Sequence, residues 1–234
     1  MFLAHSVAGE IKNGYDHEIL NVQESLKTMT VMLHKNSDWT YAERKMITAK
    51  IMYLKRVLMY YELTENLLVQ FKTIAPELYH EIDTIRDKKG RPVNVYVKFI
   101  PHSASNISAW GATYIDQVQG DADAYRSSYG PLTVSVQIWV VSKALLVLAH
   151  ELGHVKYQVP NLASYVVYHR AQYTGSNIVG TIGHDLGDRS GRSAERFEKI
   201  FTRSYARYAK GSNRRFQNPV GLLSRIKKNS NGSI

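Results

Sequence analysis

The chain has no cysteine. That excludes a disulfide framework, a thiol nucleophile and thiolate metal ligation, so a zinc site here would have to use His and carboxylate ligands. Proline is scarce, with six in 234 residues, and that leaves room for long uninterrupted helices. No apolar run approaches the roughly 18 residues that a membrane-spanning helix requires. Residues 1–8 have no basic segment and too short an apolar stretch for a secretory signal, so a cytoplasmic location is expected, with a virion or other assembly as the alternative. Acidic residues are in deficit, 20 Asp and Glu against 30 Lys and Arg, for a net charge of +10. Part of the excess falls near the C-terminus, at Lys210, Arg214, Arg215, Arg225, Lys227 and Lys228. Such a tail is either a nucleic-acid footprint or a solvated segment, and no nucleic-acid-binding motif accompanies it.

What is present is a chemical motif. His150, Glu151 and His154 stand in the run Leu148-Ala149-His150-Glu151-Leu152-Gly153-His154-Val155. On a helix, residues four apart lie about 40° apart around the axis, so both imidazoles face one point. Two neutral imidazoles at that spacing can ligate one Zn²⁺. Glu151 follows the first His and is placed to accept a proton from metal-bound water. The flanking Leu, Gly and Val residues suit a buried helix, and Lys156 is the one charged departure.

The rest of the chain supplies a frame. Apolar periodicity predicts a helix over about 17–34. A second helix begins after Thr40-Tyr41-Ala42-Glu43, which has the form of a capping box. Pro76 starts a third, expected to end near residues 87–90. Val93, Val95, Val97 and Phe99 alternate with polar residues, as a half-buried strand requires. Further strands are expected at 111–115 and 132–139, and the motif helix at about 142–158. Another helix is expected at 161–174, an irregular Gly-rich segment at 175–191, and a last helix at about 193–210.

Strands followed by a His-Glu-x-x-His helix and then a helical half with an acidic ligand resemble the zincin metallopeptidases. The resemblance covers roughly residues 93–210. It implies an α+β fold with a small mixed sheet and an active-site helix, preceded by a helical extension. The expected division is residues 1–89 for the extension, 90–212 for the zincin-like domain and 213–234 for a basic polar tail. The segment Ser193-Ala194-Glu195-Arg196-Phe197-Glu198-Lys199-Ile200-Phe201 is similar to the second motif of zincins whose third zinc ligand is Glu. Glu195 matches the ligand and Phe201 the aromatic, while Glu198 and Lys199 replace the usual small and acidic residues. Glu195 is the preferred third ligand, with Glu198, His184 and Asp188 as alternatives.

The resemblance implies hydrolysis of peptide bonds in a peptide or protein substrate, with Zn²⁺ as cofactor and Glu151 as general base. His184, Tyr165, Tyr168 and His169 are candidate donors to the developing oxyanion. The segment 132–139 resembles the zincin edge strand that holds an extended peptide by main-chain hydrogen bonds. Two other functions fit the same sequence. One is a structural component of a large assembly such as a virus particle. The other is a nucleic-acid-associated protease, bound through the basic tail.

Overall fold

The computed structural model of the chain describes residues 10–35, 38–87, 90–100, 110–116, 132–141, 143–159, 179–182 and 188–211. A short strand β1 (Glu10–Asn13) leads into α1 (Asp16–Lys35), the long α2 (Tyr41–Ile74) and α3 (Pro76–Asp83). Then come β2 (Val93–Phe99), β3 (Gly111–Asp116) and β4 (Leu132–Ile138). The motif helix α4 (Ala144–Gln158), β5 (Val179–Ile182) and α5 (Asp188–Gly211) complete the order. The architecture is α+β, as expected.

The local chemistry explains the element ends. Thr40 caps α2 with its side chain, and Glu43 reaches back to the Thr40 N–H, a complete capping box. Pro76 opens α3, where its missing N–H costs nothing. That helix stops at Asp83, earlier than periodicity predicts. Asp87 and Arg91 close a turn instead, with an ion pair at 2.6 Å, and Gly90 takes the positive φ of 76° that the turn demands.

The five strands lie in the order β1-β2-β4-β3-β5. β1, β2 and β4 run parallel, whereas β3 is antiparallel to both β4 and β5. Alternation is regular: Val93, Val95, Val97 and Phe99 of β2 are buried, as are Val134, Val136 and Ile138 of β4. These residues face helices α2 to α5 across one apolar core.

That core takes Leu63, Leu67, Phe71 and Ile74 of α2 together with Leu148, Leu152, Phe197 and Phe201 of α4 and α5. The Phe71 and Phe201 rings stack at 4.8 Å. The helices expected as an N-terminal extension thus pack on the same core as the motif helix and the sheet. β1 pairs with β2, and the Ile11 N–H donates to Asp83 of α3. Among the described residues, Tyr15, Val22 of α1 and Leu54 and Val57 of α2 form a second, smaller cluster.

Two expectations are corrected. Residues 132–139 are not an edge strand, because β4 lies between β2 and β3 with both ladders taken. Residues 175–191 are not wholly irregular, since they contain β5 and the first turn of α5. Residues 161–174 and the tail from 212 lie outside the described residues.

Candidate metal centre

Helix α4 passes under the sheet with Val147, Leu148, Leu152 and Val155 buried, and this fixes its rotation. That rotation brings the two motif histidines together. The His150 and His154 ring centroids are 4.9 Å apart, with planes at 82°. His154 is buried, and His150 is about four-fifths covered, with a side-chain exposure of 21%. Two histidines at i, i+4 on a helix can direct ring nitrogens to one point.

Glu151 is buried on the side toward the antiparallel strand β3. The Thr113 hydroxyl, itself fully buried, lies 2.6 Å from Oε2 of Glu151 and 3.2 Å from its main-chain oxygen. Burial pushes the Glu151 carboxyl up to about 7, and the Thr113 hydrogen bond opposes that rise. Gly111, two residues before Thr113, lets the strand come this close. A Cβ there would sit 2.7 Å from Val147 Cγ1 and 3.1 Å from Glu151 Cγ.

Helix α5 lies against α4 on a contact of small residues. A Cβ on Gly153 would meet Ala194 Cα at 2.7 Å and Phe197 Cβ at 3.0 Å. The two helices run antiparallel there: Gly153 meets Ala194, while His150 meets Glu198. Oε2 of Glu198 lies 3.2 Å from Nδ1 of His150. With Nδ1 as donor, the lone pair of His150 is on Nε2. No family model, curated protein or solved structure matches the chain.

Of the residues singled out in the sequence, His150, Glu151 and His154 thus come together on α4. Among the described residues, Glu198 rather than Glu195 is at hydrogen-bond distance from a motif histidine. Glu195 is exposed, and its Oε2 lies 3.9 Å from Lys199. Asp188 opens α5. His184, Tyr165, Tyr168 and His169 lie outside the described residues. Among the described residues, no three His, Asp or Glu side chains are grouped so as to hold a metal ion.

Two contacts were not legible beforehand. Thr113 sits in the short strand β3, and nothing in the sequence pairs it with Glu151. Lys156, the charged departure within the motif helix, reaches Glu81 of α3 at 3.0 Å, so its charge is paired at the rim of the core.

Proposed function

We propose that the chain is a zinc-dependent metallopeptidase of zincin type. The observation that carries this is the approach of the His150 and His154 rings on a buried helix that also carries the buried Glu151 carboxylate. The donor set suits zinc: two imidazoles, one of them engaged through Nδ1 by a carboxylate, as histidine ligands of zinc commonly are. His150 and His154 would hold the ion.

Glu195 is the proposed third ligand. The antiparallel contact of α4 with α5 supports it, because Glu195 falls at a level between the two histidines. Its exposed contact with Lys199 is of a kind worth little. Glu198 would orient His150.

Zinc, when bound, supplies Lewis-acid activation of water and of the peptide carbonyl. The chain's own residues do the rest. Glu151 accepts the proton of the attacking water on its carboxylate. Thr113 holds Oε2, which fixes the carboxylate and leaves Oε1 to take that proton. Val147, Leu148 and Leu152 exclude bulk water from the inner side of the site.

The test is metal content of the purified chain by mass spectrometry, with cleavage of a peptide library. One equivalent of zinc that is lost in His150→Ala and His154→Ala, and cleavage that is lost in Glu151→Gln, is the expected result. A wild-type chain that binds no zinc at micromolar concentration would overturn the proposal.

A second reading, a component of a larger assembly, is favoured by one observation. Leu20, Met46, Met52 and Tyr53 of α1 and α2 are apolar and exposed. Light scattering across a range of concentration tests it: a monomer throughout counts against self-assembly.

A further inference from the structure

Helix α5 has two faces of different chemistry. Ala194, Phe197 and Phe201 are buried on one side. On the other, Arg196, Lys199, Arg203, Arg207 and Lys210 are all exposed. Their spacings are three, four, four and three residues. At 100° per residue they fall within an arc of about 80°, centred opposite the buried face, and extend about 21 Å along the axis.

A solvated helix face normally mixes both signs. Among the described residues, the carboxylate paired with this row is Glu195, beside the arc and 3.9 Å from Lys199, and Arg207 also donates to Ser204 at 3.3 Å. Neighbouring like charges at these spacings disfavour the helix. The core contacts of Phe197 and Phe201 hold the cations in line despite that repulsion.

We infer that this stripe is a docking surface for the phosphate backbone of double-stranded nucleic acid. A straight row of cations about 5 Å apart suits a regular polyanion, whose phosphates recur along each strand at a few ångströms. Arginine supplies three of the five positions, and its planar fork matches phosphate. A duplex fits better than a single strand because the stripe presents no aromatic side chain on which a base could stack. A membrane surface fits less well, since the apolar face of α5 is already used in the core and has nothing to insert. The inference is independent of the metal site.

The test is fluorescence anisotropy of a labelled duplex of about 20 base pairs with the full chain, titrated between about 50 and 200 mM salt. If all five cations engage, log K should fall against log salt with a slope of about −4 to −5. The triple variant R196Q/R203Q/R207Q should bind at least about tenfold more weakly and show a slope shallower by about 3. Its fold is checked by circular dichroism, and Arg203→Gln alone should lower the slope by about 1. The control K45Q/K50Q/K55Q removes the same charge from exposed positions on α2, and it should bind nearly as the wild type does. No binding of the duplex at low salt would overturn the inference. So would a control as weak as the triple variant, or tighter binding to vesicles containing anionic phospholipid than to the duplex.

Discussion

The Thr113 hydroxyl lies 2.6 Å from Oε2 of Glu151, joining the antiparallel strand β3 to the motif helix inside the core. The pair is buried on both sides, and Gly111 brings the strand close enough to make it. A carboxylate buried this deeply needs a donor to fix its direction. Thr113→Val keeps the shape and removes the donor. We predict a loss of about 1–3 kcal/mol in stability by urea denaturation. For the proposed peptidase activity, kcat should fall by about 10- to 100-fold with KM unchanged. Thr113→Ser should restore both, and failure of that rescue would mean the hydroxyl is not the operative group.

The proton on Glu151 gives a second prediction. Burial raises its carboxyl from 4.5 to about 7, so the folded chain holds this proton more tightly than the unfolded chain does. Its contribution to stability is full below about pH 4.5 and is lost as pH rises through about 7. Glu151→Gln removes the titration while keeping an oxygen to accept from Thr113. In the metal-free chain, the stability of the variant relative to wild type should therefore rise between pH 5 and pH 8, by up to about 3 kcal/mol. Denaturant curves at the two pH values measure it, and a difference independent of pH would contradict it.

Glu198 should matter to metal affinity through His150. Removing the carboxylate takes away a hydrogen bond that favours one ring orientation and one tautomer. Glu198→Ala should weaken zinc binding about 10- to 100-fold, as measured by competition with a chromophoric chelator. Glu195→Ala should weaken it more if Glu195 is the third ligand as proposed. Equal affinities for wild type and Glu195→Ala would remove Glu195 from the ligand set.

Gly153 should tolerate nothing larger. A Cβ there would lie 2.7 Å from Cα and 3.0 Å from the carbonyl oxygen of Ala194. Backbone cannot swing aside as a flexible side chain can, so α5 itself must move. We predict that Gly153→Ala costs about 1–3 kcal/mol and also weakens zinc binding, since the same shift takes Glu198 away from His150. A stable variant with unchanged zinc affinity would indicate that the two helices are loosely held.

Much of the frame was legible because its signals are local. The capping box at Thr40 and Glu43, proline at position 76 and the alternation of Val93 to Phe99 each lie within a few residues, and each element begins where its pattern placed it. The pair of imidazoles was legible for the same reason, since i, i+4 on a helix is a fixed geometry. β1 and β5 were missed: each has only four residues, too few for a period to show. The place of β4 in the sheet was also missed. Strand order is decided by pairing across the whole chain, and an interior strand and an edge strand can carry the same alternation. Glu198 and Glu195 are three residues apart on one helix, and only the seating of α5 on α4 decides which of them meets His150.

One helix therefore serves two surfaces. The inner side of α5 brings Glu198 to His150, and its outer side carries the cationic row. Any ligand that alters the seating of α5 from one side changes affinity at the other, and thermodynamic reciprocity makes the two factors equal. Zinc affinity measured with and without a bound duplex, set beside duplex affinity with and without zinc, closes that cycle. If α5 moves as a rigid rod between two seatings, the protein contains a switch. If the Gly153–Ala194 contact admits only one seating, the coupling is zero and the helix acts as a partition between two independent sites.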